Sequence, residues 1–228
     1  MRPILLSLSV ALAACASDAD PGAPDLGSDA ATSASRTYTD DDRDTFCDAV
    51  LTEAFVRDHF DLSADAPLHR GGGRYFCSGY WGADSEYDAA ASRYTVNLNI
   101  DDDDAVAALA FEATRTERTA AENRAEVRGA LAGAAGGDAT ALEQDLADAT
   151  TEGLAGGVGE TTTDEVDGVG DEAVVVRVGG AMPSVAFRLG NVRVHGITVI
   201  PSAEGGEVRP QDVEARSVAF ARALAAQM

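Results

Sequence analysis

Strict alternation of apolar and polar side chains is the feature that most constrains the fold of this chain. Residues 93–100 read Arg-Tyr-Thr-Val-Asn-Leu-Asn-Ile. Successive side chains of a strand point to opposite faces of a sheet, so this segment predicts a half-buried strand with one polar face. Val185, Phe187 and Leu189 alternate in the same way, and residues 173–178 are nearly all apolar, which predicts a central strand.

Two glycines add detail to this part of the sheet. Gly190-Asn191 separates two strand-like segments, and a two-residue connection that tolerates positive φ is typical of a β-hairpin. Gly196 interrupts the second of these segments. We expect a β-bulge there, which shifts the side chains that follow to the other face.

Helical spacing of apolar residues flanks the predicted strands. It occurs within residues 46–60, where Thr52 is expected to cap a second short helix, and within residues 106–131 and 213–224. A shorter helix is expected at residues 140–150, and residues 61–73 and 153–168 are interpreted as loops. The order along the chain is therefore helix, two strands, helix, loop, three strands, helix. This order predicts an α+β fold, with an antiparallel sheet of about five strands and helices packed on one face.

The first fifteen residues predict export. Arg2 precedes an apolar run, Ile4 to Ala14, that ends at Cys15 and is too short to span a bilayer. Leu12-Ala13-Ala14-Cys15 resembles the lipobox of bacterial lipoproteins. The resemblance implies diacylglyceryl transfer to the Cys15 sulfur, cleavage before Cys15, and acylation of the new N-terminus, for example with palmitate. The alternative is an ordinary signal peptide that ends at a cysteine by chance.

These features predict three parts of the chain. Residues 1–14 are the signal peptide, residues 15–38 are the lipidated cysteine and a flexible tether, and residues 39–228 are a single α+β domain. The tether consists mainly of small and polar residues, which cannot bury enough apolar surface to order it. The predicted location is the cell envelope, at the outer membrane or the outer face of the cytoplasmic membrane, with the acylated Cys15 in the lipid bilayer.

Charge narrows the range of partners. The chain has 39 acidic and 17 basic residues, a formal net charge of −22 at pH 7, and all its basic residues are arginine. Such a charge repels nucleic acid and anionic lipid surfaces. Nucleic acid is therefore not expected as a partner, whereas an envelope protein or an envelope polymer remains open.

Cysteine use points to one disulfide. If Cys15 is lipidated, Cys47 and Cys77 are the two remaining cysteines, in a compartment where disulfides form. We therefore predict a Cys47–Cys77 bond that ties the first helical segment to the first strand.

Cys47, Cys77, the nearby Trp81 and a Gly-x-Gly-Asp-Glu-Ala segment at residues 168–173 also resemble a group of small lipoproteins. These are two-cysteine lipoproteins of unknown function, best known from actinobacteria. They place one cysteine in an early helix and the other in the first strand. The resemblance covers residues 45–228 in outline. It implies a compact envelope domain and no known chemistry.

Motifs for catalysis are absent from the sequence. It contains no Gly-x-Ser-x-Gly elbow, P-loop or dinucleotide fingerprint, and His59, His69 and His195 lack metal-ligand spacing. Asp101–Asp104 offer calcium ligands, but four consecutive aspartates cannot all face one ion, so helix capping is favoured. Gly71–Gly73 is either an anion-binding loop or a flexible turn. We predict no catalytic residue, metal or cofactor.

These observations favour a non-catalytic envelope lipoprotein that acts as a binding or scaffolding domain. The alternative is a hydrolase that acts on envelope polymers through carboxylates or a metal. The predicted binding face is the solvent side of the sheet, where Arg93, Arg177 and Arg193, joined by Arg188, would receive carboxylate or phosphate groups. The competing interpretation is that these arginines only neutralise neighbouring acids across the strands.

Overall fold

A computed structural model describes residues 37–135, 159–204 and 206–228. The predicted signal peptide, Cys15, the tether up to residue 36 and a short helix expected at residues 140–150 lie outside the described residues. Within the described ranges, no helix combines the length and the apolar character needed to cross a membrane.

Six helices and seven strands are described. The helices are α1 Asp40–Arg43, α2 Phe46–Val50, α3 Glu53–His59, α4 Asp104–Arg115, α5 Ala120–Ala135 and α6 Pro210–Gln227. The strands are β1 Leu68–Gly73, β2 Phe76–Trp81, β3 Ser92–Ile100, β4 Thr161–Glu165, β5 Glu172–Val178, β6 Ser184–Leu189 and β7 Val192–Ile200. They form one antiparallel sheet in the order β1-β2-β3-β7-β6-β5-β4, which confirms the α+β class and adds two strands to the expected five.

Helices pack on both faces of the sheet, not on one as expected. The inner face carries the main core, where Tyr94 of β3 and Phe187 of β6 pack with Phe220 of α6. The outer face has a smaller core, in which Phe111 of α4 packs on Val174 and Ala186. The apolar run in β5 explains the difference, because a strand that is apolar on both sides needs cover on both.

Both strands that the sequence pattern did not predict, β1 and β4, lie at the edges of the sheet. β1 contains Gly71–Gly73, which we interpreted as a loop, and β4 lies in residues that we also assigned to a loop. Edge strands bury few side chains, so neither carries an apolar alternation. The free side of β4 is bridged by backbone hydrogen bonds between Thr161 and Arg118.

The Cys47–Cys77 disulfide is confirmed. It joins α2 to β2 across a Cα–Cα distance of 5.5 Å. Gly72 of β1 lies directly beside it, where a Cβ atom would come within 3.1 Å of the Cys47 Sγ. A glycine at this position therefore lets the edge strand approach the bond closely.

The hairpin and the bulge are also confirmed. Gly190 has a φ of 55° in the turn between β6 and β7. Gly196 has a φ of 61°, and the pairing of β7 shifts register with both β3 and β6 around it. These are left-handed backbone conformations, which glycine adopts without steric cost.

The long helix expected at residues 101–131 is two helices, α4 and α5. Thr119 and Glu122 begin the second one with a reciprocal capping pair: the Thr119 backbone N–H donates to the Glu122 carboxylate at 2.8 Å, and the Glu122 N–H donates to the Thr119 hydroxyl at 3.3 Å. Such a pair supplies acceptors for backbone N–H groups at the start of a helix, which have no acceptor within the helix. It separates α5 from α4 at the charged stretch of the sequence.

Tyr38 belongs to the folded domain and not to the tether. It is 5% exposed, and its ring packs 5.7 Å from that of Phe46. Its backbone N–H donates to the Asn191 side-chain oxygen at 3.1 Å. The domain therefore starts before residue 39, because an aromatic ring at the end of a polar stretch gains free energy by burial.

Candidate functional site

The outer face over β2, β3 and β7 presents a set of uncharged side chains. Register places Ser78 opposite Thr95 and Thr95 opposite Thr198, and it places Phe76 opposite Asn97 and Asn97 opposite His195. We call this surface the polar platform. Its members are Phe76, Ser78, Thr95, Asn97, Asn99, His195 and Thr198.

Phe76 is the apolar member of the platform. Its side chain is 48% exposed and lies over Gly73 of β1, where an added Cβ would come 3.1 Å from the Phe76 ring. Its neighbour Tyr75 is equally exposed, at 49%, but contacts the Arg43 guanidinium of α1, 5.4 Å from the ring centre. Two adjacent rings of similar exposure therefore lie in different environments.

A second aromatic group borders the platform. The rings of His69 on β1 and Tyr80 on β2 stack with their centres 4.5 Å apart. Tyr80 follows Phe76 by four residues on the same strand, so both point to the outer face. Phe76 and Tyr80 thus flank the hydroxyl and amide groups between them.

The bulge at Gly196 shapes the middle of the platform. A Cβ at Gly196 would lie 2.5 Å from the Asn97 amide nitrogen, so glycine leaves space for that side chain. The Gly196 carbonyl also accepts a hydrogen bond from the Thr95 hydroxyl at 3.4 Å.

The surroundings of His195 favour its neutral form. Burial lowers its pKa from the usual 6.5, and the Arg193 charge beside it lowers the pKa further. The Asn99 amide nitrogen lies 3.0 Å from the ring Nε2 and donates to it. The Asn99–His195 pair therefore adds hydrogen-bonding groups to the platform without adding charge.

Two of the predicted binding arginines lie on the outer face, at opposite ends of the platform. The Arg93 guanidinium donates to the Glu86 carbonyl at 2.7 Å. Arg193 forms two hydrogen bonds with the Asp101 carboxylate, at 2.6 and 3.0 Å, and both side chains are largely buried. Arg193 is therefore not a free anion receptor, because a carboxylate neutralises its charge. The acceptor of Arg93 is an uncharged backbone carbonyl, which holds the guanidinium in place without neutralising it.

Our placement of Arg177 on the solvent face of the sheet is wrong. It lies on the inner face, where its guanidinium forms two hydrogen bonds with Glu214 of α6 at 2.9 and 2.7 Å and also pairs with Asp164. These partners raise its pKa. Successive side chains of a strand point to opposite faces, and Arg177 occupies an inner-face position of β5, so its side chain points toward α6.

Arg188 has the most extensive pairing of the four arginines. It is 8% exposed and pairs with Asp104, Asp171 and Glu172. The interpretation that these arginines neutralise neighbouring acids therefore describes Arg177, Arg188 and Arg193.

Three of the four consecutive aspartates have separate roles. Asp103 is the N-cap of α4 and accepts from the Val106 N–H at 2.9 Å. Asp101 and Asp104 pair with Arg193 and Arg188. The expected capping is confirmed. Across residues 37–135, 159–204 and 206–228, no three His, Cys, Asp or Glu side chains are placed to hold a metal ion.

Gly71–Gly73 form part of an edge strand beside a cleft of about 480 Å³. Arg70 lies there and donates to the Leu51 carbonyl at 2.6 Å, next to the end of α2. Arg74 lies 3.6 Å from the Asp44 carboxylate. Both arginines of the predicted anion loop thus face protein acceptors, and Gly72 lets β1 pack against the disulfide.

The sequence alone placed Thr95, Asn97 and Asn99 on the polar face of β3, which the structure confirms. It missed the contributions of Ser78, His195 and Thr198. Alternation along β2 and β7 indicates which residues of each strand share a face, and this gives part of the answer. The register that brings these side chains together depends on pairing between distant segments, which no local pattern reports.

Comparison with known proteins gives no assignment: no protein-family model, no curated protein and no solved structure matches this chain.

Proposed function

We propose that this protein is a membrane-anchored envelope lipoprotein whose domain binds a ligand on the polar platform, without catalysing a reaction. The observation that carries the proposal is the platform itself: hydrogen-bonding side chains gathered around a half-exposed Phe76 on the sheet. Exposed aromatic rings next to uncharged donors and acceptors are typical of recognition surfaces.

The surrounding structure keeps the platform rigid. β3 and β7 lie in the middle of the sheet, and their inner sides carry the buried residues Val96, Leu98 and Val194. Binding groups on such strands stay in place, so binding costs little conformational entropy. A rigid surface on a lipid tether suits capture of a ligand near the membrane.

This proposal replaces the arginine-based anion site that the sequence suggested. Arg188 and Arg193 on the outer face pair with carboxylates of the protein, and moving either guanidinium to a ligand would leave those carboxylates unpaired. The uncharged groups of the platform are the ones available to a ligand.

We expect the Phe76→Ala/Thr95→Ala/Asn97→Ala variant to lose capture of envelope fragments. The full chain is mixed with envelope fragments from cells that lack it, and the bound fraction is measured by sedimentation. The variant should bind about tenfold or more weakly, because it removes a large apolar contact and two hydrogen-bonding groups.

The matched control is Tyr75→Ala. It removes an equally exposed neighbouring ring outside the platform and should leave capture unchanged. Thermal unfolding of all variants checks that the fold is intact. If the folded platform variant binds like the unaltered chain, the platform is not the binding surface.

We expect Cys15→Ala to release the protein from membranes or to leave it unprocessed. The thiol is the proposed attachment point of the lipid. Each acyl methylene that is buried in the bilayer contributes about 0.8 kcal/mol to membrane binding, and a chain without acyl groups loses this contribution. Fractionation and intact-mass measurement provide the test, with Ser17→Ala as the control that stays membrane-bound. A mature protein with no acyl mass on Cys15 would contradict the anchor.

A further inference from the structure

We propose that the polar platform recognises an uncharged, polyhydroxylated chain: a neutral glycan strand. This inference rests on the function proposed above and specifies its ligand.

The charge of the protein favours a neutral ligand. The chain has a formal net charge of −22, so its field repels anionic polymers, and the arginines at the ends of the platform are paired or hydrogen-bonded within the protein. A cationic polymer would find no carboxylate among the platform members. A neutral ligand avoids both the repulsion and the cost of stripping water from an unpaired charge.

The hydrogen-bonding groups of the platform favour a ligand rich in hydroxyl groups. Each sugar hydroxyl both donates and accepts, and so do the side chains of Ser, Thr and Asn. Thr95 is exposed, and Ser78, Asn97 and Thr198 are half-buried, so their polar groups reach solvent from fixed positions. Donors and acceptors of both kinds on one surface match hydroxyl groups better than they match a carboxylate or phosphate, which only accepts.

The spacing of the aromatic rings fits an extended ligand. Phe76 and Tyr80 lie four residues apart on one strand, which places them about 13 Å apart along the sheet. The negative face of an aromatic ring attracts weakly positive hydrogen atoms, such as the C–H groups on the flat side of a sugar. The Phe76 ring and the His69–Tyr80 stack, at this spacing and with polar groups between them, suit an extended chain of sugar units.

The size of the surface disfavours a folded protein as the occupant. Four strands are about 14 Å across, so the platform and its aromatic border cover about 200 Å² in projection. A stable protein interface takes about 800 Å² from each partner and has an apolar centre. Phe76 alone does not form such a centre.

The test uses a neutral β-linked glucan and its carboxymethylated form, each as soluble polymer in affinity electrophoresis with the full chain in detergent. A chitin oligosaccharide in titration calorimetry is the second neutral probe. We expect the protein to bind a neutral probe, to bind the carboxymethylated glucan at least about tenfold more weakly, and to keep its affinity for the neutral probe when the salt concentration rises.

Three variants connect the binding to the platform. Thr95→Val keeps the side-chain shape and removes the hydroxyl, and Phe76→Ala removes the ring; both should weaken binding of the neutral probe by about fivefold or more. Tyr75→Ala should leave it unchanged. Unfolding curves confirm that each variant is folded, so a loss of binding is not a loss of structure.

The alternative outcomes are distinct. Tighter, salt-sensitive binding of the carboxymethylated glucan would overturn the neutral ligand. If the platform variant loses envelope capture but neither neutral probe binds, this inference fails and the proposed function stands. Loss of capture after protease treatment of the fragments would then identify the ligand as a protein. If the platform variant still captures envelope fragments, the function proposed above fails as well.

Discussion

Loss of the Cys47–Cys77 disulfide should lower the free energy of unfolding by about 3–4 kcal/mol. The bond joins residues 30 positions apart, so in the Cys47→Ala/Cys77→Ala variant the unfolded chain gains the freedom of a long loop. Cys77 is also buried in the core, and its replacement leaves space there. Urea unfolding followed by circular dichroism measures the change.

Reductant distinguishes the disulfide from the packing of the sulfur atoms. Dithiothreitol should destabilise the unaltered protein and have no effect on the double variant, because only the former contains a bond to reduce. An unfolding midpoint that stays the same with and without reductant in the unaltered protein would contradict a stabilising disulfide.

Phe220→Ala should destabilise the domain by about 3–5 kcal/mol. Phe220 of α6 is fully buried, and its ring centre lies 5.2 Å from that of Phe60, 5.3 Å from that of Tyr94 and 5.9 Å from that of Phe55. The truncation leaves a cavity where α3, α6 and β3 meet. Denaturant unfolding gives the magnitude.

Phe76→Ala is the matched control for Phe220→Ala, because it makes the same chemical change at a half-exposed position. It should cost about 1 kcal/mol or less, since only part of the ring leaves water on folding. The two variants thus separate stability from binding: Phe220→Ala reduces the first, and Phe76→Ala reduces the second. Equal destabilisation by both would contradict the assignment of Phe76 to an open surface.

Local sequence patterns predicted the features that depend on local chemistry. Alternation located β3, glycine at Gly190 and Gly196 located a turn and a bulge, and Thr52 was expected to cap a short helix. Thr52 is the N-cap of α3 and accepts a hydrogen bond from the Phe55 N–H at 3.1 Å. In each case a few neighbouring residues determine the backbone conformation.

Features that depend on distant partners were missed. β4 lacks an apolar pattern because it lies at the edge, and its pairing with β5 follows from the sheet as a whole. Arg177 was assigned to the wrong face because its phase in an almost fully apolar strand was ambiguous. The polar platform needs the register of three strands, which only the folded chain provides.

Tyr38 is the first residue of the domain to receive a force that is applied to the preceding part of the chain. Its hydroxyl donates to the Met228 carbonyl at 3.3 Å, and its carbonyl accepts from the Asn191 amide at 2.7 Å. Asn191 also donates to the Asp101 carbonyl at 2.9 Å. Asp101 follows β3 and Asn191 precedes β7, so tension on Tyr38 reaches the ends of both strands through the Asn191 side chain and not through hydrogen bonds between strands. Because a few hydrogen bonds and one ring contact hold Tyr38, we expect these contacts to break under load before the sheet is stretched. Each residue that is released then lengthens the extended chain by about 3.3–3.6 Å, so the chain can extend while the seven strands stay paired.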